Sequence, residues 1–186
     1  LVALYAGTHG IANHLDAVLD GAAVLKARSR CDIKLVLVGS GREKQELMLR
    51  CQRENLDNVI FHDPMKKGDL ALAMAGADVG MQILANVEAF YYGTSPNKFF
   101  DYLAAGLPVL TNYPGWIAGL IKESECGFPI PPESPEAFAD ALEQAADDRA
   151  RLSSMGGRAR MLAESRFPRD ELANQLVDVL EDVIQA

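Results

Sequence analysis

Within Gly93-Thr94-Ser95-Pro96-Asn97-Lys98-Phe99-Phe100-Asp101-Tyr102, charged and polar side chains stand at spacings that suit a phosphate bearing a polyhydroxy group. Ser95 is a favoured N-cap type, and Pro96 suits the first helical position, where a missing N–H is harmless. The free N–H groups of such a first turn, with the helix dipole, make a ready anion site. Lys98 opposes that dipole by about 0.3–1 kcal/mol, a penalty that a bound anion removes. Asn97 and Asp101 are four apart, so they share one helix face and can address one ligand, while Phe99, Phe100 and Leu103 can face a core. The alternative for Asp101 is a solvent-facing helical acid. Its place on the Asn97 face, one turn into the helix, favours a ligand contact.

The loop Gly7-Thr8-His9-Gly10 is the second candidate. It follows an apolar run and precedes a helical pattern, and in an open α/β sheet ligands bind outside the carboxyl ends of the strands. His9 can contribute a hydrogen bond there, although a lone His beside glycines more often serves the fold. No Arg or Lys precedes Lys26, which makes Lys98 the main cation candidate for an anionic ligand. Gly39-Ser40-Gly41 also lies between a strand and a helix, but the sixth position is Lys44 and the run is the second one. It reads as a tight turn rather than a dinucleotide fingerprint. Asn112 and Trp116 stand where they can edge a cleft, although the only Trp of a domain more often packs. There is no Ser/His/acid order, no metal-ligand spacing and no Walker loop, so neither a metal nor a cofactor is expected.

These residues need a scaffold, and the apolar pattern supplies one. Short apolar runs at Val2–Ala6, Lys34–Val38, Asn58–His62, Asp78–Leu84, Pro108–Thr111 and Gly127–Pro129 read as buried strands. Helical patterns fall between them, at about Ala12–Arg28, Glu43–Glu54, Lys67–Ala75, Pro96–Ala105, Ile117–Glu123 and Pro135–Ala146. The alternation predicts a doubly wound, Rossmann-like α/β domain of about six parallel strands with helices on both faces. Two more helices, about Arg149–Glu164 and Arg169–Ile184, make a C-terminal helical tail. The 186 residues fit one domain, and 49% hydrophobic content rules out a disordered chain. No uncharged apolar run reaches the roughly 18 residues of a membrane span. A net charge of −8 argues against a nucleic-acid partner. Cys31, Cys51 and Cys126 have no pairing or metal spacing, which suits a reducing compartment.

The Ser95-Pro96-x-Lys98-x-x-Asp101-Tyr102-x-x-x-Gly106-x-Pro108-Val109 pattern resembles the donor-site motif of the family-four retaining glycosyltransferases of GT-B architecture. It is closest to the bacterial subgroup that assembles surface polysaccharides. The resemblance runs along nearly the whole chain, but only over what would be the C-terminal half of such an enzyme. It implies that Asp101 binds the ribose hydroxyls of a nucleotide-sugar, expected to be a UDP-sugar, and that Ser95, Pro96, Asn97 and Lys98 serve the phosphates and the sugar. Lys98 would be the catalytic cation. Gly7, Thr8, His9 and Gly10 would close on the diphosphate, and Gly39 would lie near the nucleotide end of the cleft. The segment His62-Asp63-Pro64-Met65 would receive the base on its backbone, with Met65 packed on the ring. Two departures stand out. The first loop lacks the family's Arg and Lys, and Gly93 occupies the position of its first glutamate.

The resemblance further implies an N-terminal acceptor domain of the same polypeptide, absent from these residues, without which transfer is not expected. It implies a cytoplasmic enzyme, peripheral at the inner face of the membrane. Two alternatives stay open: a noncatalytic nucleotide-sugar-binding module, and half of a GT-B sugar-nucleotide epimerase. The last helix carries an apolar stripe at Leu172, Leu176, Val179, Leu180 and Val183. The stripe either packs on its own domain or belongs against a missing one. In the second case the exposed face would drive weak self-association, or leave Asn86–Tyr92 and the chain's end disordered.

Overall fold

The structure, a computed structural model, describes residues 1–185. Six strands, β1 (Val2–Ala6), β2 (Lys34–Val38), β3 (Val59–His62), β4 (Val79–Gln82), β5 (Val109–Thr111) and β6 (Gly127–Pro129), form one parallel sheet in the order β3-β2-β1-β4-β5-β6. The chain winds outward from β1 to β3, then crosses back to pair β4 with the other side of β1. The reversal therefore lies between β1 and β4, and the crevice above their carboxyl ends is the natural place for a ligand. The doubly wound α/β expectation is met, with each strand within two residues of its expected bounds.

The strands read as unbroken apolar runs because both faces are covered. Helices α1 (Asp16–Ala27), α2 (Lys44–Glu54) and α7 (Pro135–Asp147) pack Val18, Leu19, Leu47, Phe138 and Leu142 against Ala3, Leu35 and Met81 on one face. Helices α3 (Lys67–Ala75), α5 (Asn97–Ala104), α6 (Trp116–Glu123) and α8 (Arg149–Arg166) cover the other, where Phe99, Tyr102, Ile117 and Leu162 meet Leu4 and Val109. Gly80 makes the closest approach on this face possible. A Cβ there would stand 2.4 Å from the Tyr102 ring. With that ring seated, the Tyr102 hydroxyl accepts the Ala6 N–H at 2.9 Å, in the gap where the β1–β4 ladder has ended.

Two expectations need correction, and one choice between alternatives is decided. Glu88–Gly93 is a helix, α4, rather than an irregular or disordered loop, and Tyr91 and Trp116 brace it through hydrogen bonds to Asn86 and Thr94. Ser95 does not cap α5, nor is Pro96 its first helical residue. Pro96 is the N-cap, with extended ψ of 125° and no side-chain cap bond, and Asn97 opens the helix. Proline disfavours helical backbone in the residue before it, which keeps Ser95 out of the helix. The final helix, α9 (Arg169–Gln185), leaves Leu176, Val179, Leu180 and Val183 50% or more exposed. Its stripe does not pack on its own domain.

Candidate functional site

The site is built from two loops and one helix start. After β1 and β2 the parallel ladder continues into the loops: Gly7 N–H donates to Val38 C=O at 3.0 Å and His9 N–H to Ser40 C=O at 2.9 Å. Glu43 N–H then returns to His9 C=O at 3.0 Å. The loops approach so closely that a Cβ on Gly39, whose φ is +145°, would stand 1.9 Å from the Gly7 carbonyl oxygen. Only glycine serves there. The wall facing the crevice is thus rigid backbone.

Lys98, in the first turn of α5, reaches under this wall. Its Nζ donates to the Tyr5 hydroxyl at 2.9 Å and to Asn13 Oδ1 at 3.4 Å, and it lies 4.0 Å from the Tyr5 ring centroid. Tyr5 passes the chain on, its hydroxyl donating to Thr8 C=O at 2.8 Å. No carboxylate of the described residues lies within ion-pair distance of Lys98. Burial alone pushes the ammonium down to about 8. The fold therefore holds a half-desolvated cation at the switch point with neutral partners only, an arrangement stabilised by an incoming anion.

Lys44 makes the contrast plain. Its Nζ is consumed by the carbonyls of Gly39 and His62 at 2.9 Å each and by Asp63 at 2.8 Å. It fastens the β2–α2 loop to the end of β3, a structural role that the sequence pattern did not reveal. The His62 carbonyl, which also accepts the Gly39 N–H at 3.1 Å, is therefore not free for a base edge as expected.

His9 is fully buried between the Tyr5 and Phe61 rings, with centroids 6.0 and 6.1 Å away. Neither ring nitrogen has a hydrogen-bond partner. Burial first, then the Lys44 and Lys98 cations, hold its pKa below the usual value, which favours the neutral imidazole. Its backbone shapes the wall, and its ring fills the space beneath.

The sequence-predicted residues thus fall into two neighbouring groups. Gly7, Thr8, His9, Gly10, Gly39 and Lys98 meet at the carboxyl ends of β1 and β2. Met65, Asn97 and Asp101 line a groove of about 1110 Å³ between α3, α5 and the junction of α8 with α9, together with Phe100, Arg160 and Phe167. Lys98 and Asp101 leave α5 toward different spaces, one toward β1 and the other into the groove. Ser95 and Pro96 lie in the short lead-in from α4 to α5, and Pro96 is extended. Gly93, at the place of the missing acid, has open space about its Cα. Asn112 and Trp116 serve the fold instead of edging the cleft. Asn112 pairs with both backbone groups of Leu84 at 3.0 Å, and Trp116 donates to Thr94 C=O at 2.8 Å. Tyr5, Asn13 and Lys44 were missed, since nothing in their spacing separates them from strand and helix residues.

The family model for glycosyl transferases group 1 matches residues 1–148. No curated protein matches the chain in sequence. Among solved structures, Anabaena HepE in complex with UDP-glucose superposes with a TM-score of 0.82 at 18% identity, over 97% of this chain and 48% of that one. The pneumococcal O-GlcNAc transferase GtfA, in complex with UDP and GlcNAc, gives 0.81 at 16% identity, over 100% of this chain and 36% of the other. Sucrose-phosphate synthase from Thermosynechococcus elongatus gives 0.81 at 22% identity, over 99% and 45%. The chain spans less than half the length of each of these three. The shared fold is a doubly wound, Rossmann-like α/β domain. With four-fifths of its length inside the family model, the chain belongs to the group 1 glycosyl transferases.

Proposed function

We propose that this domain binds the donor in retaining glycosyl transfer, taking a UDP-sugar with its diphosphate at Lys98 and the Gly7–Gly10 loop. Asp101 takes the ribose hydroxyls in the adjoining groove, and Met65 packs on the base. The carrying observation is the half-buried Lys98 ammonium at the switch point, furnished with a hydroxyl and an amide but no acid. As the sugar leaves, charge grows on the departing phosphate, and a fixed cation beside fixed backbone dipoles stabilises it without reorganisation. That the matched HepE structure contains UDP-glucose and the GtfA structure UDP supports this choice of donor.

The acceptor in this reading is a growing polysaccharide or a lipid-linked sugar, held by an N-terminal domain of the same polypeptide. The intact enzyme works in the cytoplasm, peripheral at the inner face of the membrane. Holding donor and acceptor together supplies much of the acceleration, so the 186-residue chain alone transfers no sugar. The open space at Gly93 favours a second reading, a noncatalytic nucleotide-sugar-binding module, because the family's acid is absent there. Calorimetry with UDP and uridine tests the site. UDP should bind much more tightly than uridine, and Lys98→Ala should erase the difference. Equal affinity for both ligands in wild-type protein would sink the proposal. Transfer by the intact polypeptide, measured with a UDP-sugar and a membrane extract as acceptor, separates the enzyme from the module.

A further inference from the structure

Lys98 has three N–H donors and no acceptor, so any group it touches must turn an acceptor toward it. Two such groups are present, the Tyr5 hydroxyl at 2.9 Å and Asn13 Oδ1 at 3.4 Å. That leaves one ammonium donor unspent. It also fixes the Asn13 amide, whose Oδ1 faces the cation and whose Nδ2 must therefore point away from it. Nδ2 donates to nothing among the described residues.

The turn that carries Asn13 is held from both sides. Asn13 N–H closes on Gly10 C=O at 2.9 Å within the 3-10 turn Ile11–Asn13. Ala85 N–H, from the segment after β4, donates to Ala12 C=O at 2.9 Å. Asn13 accordingly bridges the two sides of the switch point, β1 and β4, with its side chain fixed on the unpaired cation.

We infer that Asn13 and Lys98 act as one anion-binding unit, in which the Asn13 amide N–H and the spare Lys98 N–H grip the same phosphate oxygens of a nucleoside diphosphate. This deepens the donor-site reading and rests on it for the nucleoside part of the ligand. The amide takes the place that a second cation would otherwise fill, since the first loop holds no Arg or Lys. A neutral donor suits the site better than another buried charge, which would repel Lys98 before the ligand arrives.

Asn13→Asp tests the unit with almost no change of shape. A carboxylate at that position pairs with Lys98, occupies the cation and repels phosphate. The variant should raise the Lys98 pKa from about 8, read by carbon-13 NMR of the lysine side chain, and weaken UDP and inorganic pyrophosphate about 30-fold. Uridine binding should not move. Asn13→Ala removes the amide donor without adding charge and should weaken both phosphate ligands about fivefold, with uridine again unchanged. An Asp variant that leaves the Lys98 pKa in place overturns the inference. So does one that shifts the pKa yet keeps wild-type pyrophosphate affinity. Wild-type protein that binds pyrophosphate in an Asn13-dependent manner but prefers uridine to UDP would retain the anion unit and overturn the UDP-sugar reading.

Discussion

Two half-buried cations in this molecule have opposite surroundings. Arg50 on α2 reaches back to α1, where its guanidinium meets Asp16 at 2.8 Å and Asp20 at 2.5 Å, and it also pairs with Glu54 at 2.8 Å on its own helix. Burial opposes its charge, but the hydrogen bonds to Glu54, Asp20 and Asp16 outweigh burial and push its pKa up. Lys98 has no acid beside it, and burial prevails there. One cation is complete within the fold and ties two helices together. The other is left without an acid at a crevice, the arrangement on which the donor-site proposal rests.

The sharpest way to break this comparison is to replace each cation by Met. Lys98→Met should weaken UDP by about 10–150-fold, the worth of a charge-assisted hydrogen bond, while leaving uridine unchanged in calorimetry. It should also stabilise the fold by about 1–2 kcal/mol in urea titrations, because an uncompensated buried charge is gone. Arg50→Met should do the reverse, costing about 1–3 kcal/mol of stability because three acids lose their partner, with UDP affinity intact. If both substitutions destabilise and neither touches UDP, the two cations are alike and Lys98 is structural.

The pH dependence sharpens the same contrast. Free Lys98 titrates near 8, and a bound phosphate raises that value. The protonated form binds the anion, so affinity is full below pH 8 and falls as pH rises through the free pKa. The drop should be about tenfold between pH 7 and 9, with proton uptake on binding at pH 8. Calorimetry in two buffers of different ionisation enthalpy reads that uptake. A flat profile over this range would mean that Lys98 carries no charge toward the ligand.

Smaller effects probe the supports. Tyr102→Phe keeps the ring against Gly80 but leaves the buried Ala6 N–H without its acceptor, which should cost about 1–3 kcal/mol. Because Tyr102 lies one turn beyond Lys98 on α5, UDP affinity should also fall a fewfold in the same titrations. The smallest effect is expected on α9, where Leu176 is 60% exposed. Leu176→Ser should change stability by no more than about 0.5 kcal/mol, whereas Leu162→Ala on α8 should cost about 2–5 kcal/mol. Equal losses would show that α9 packs on this domain in solution.

Much of the molecule was legible before folding. Six apolar runs alternating with helical patterns dictate a covered parallel sheet, since strands buried on both faces cannot alternate with polar residues. The α5 segment showed its cation and its carboxylate, because both stand at helical spacing in one stretch of chain. The start of α5 was misplaced by one residue at Pro96, where extended and helical readings of a proline compete on local sterics alone. The helix at Glu88–Gly93 escaped notice because six residues carry too little periodicity.

The sequence by itself determined which residue types the crevice could contain, and that Lys98 was the basic residue of the Ser95–Asp101 stretch. Tertiary structure alone decided what each charge would meet. Lys44 and Lys98 are both lysines beside a glycine-bearing strand-to-helix loop or helix start, yet one finds three acceptors and the other a phenol and an amide. Tyr5 lies 93 residues from Lys98 in the chain and Asn13 lies 85, so no local pattern couples them. Their meeting follows from the order β2-β1-β4, which puts the end of β1 beside α5 and leaves the cation in the crevice between.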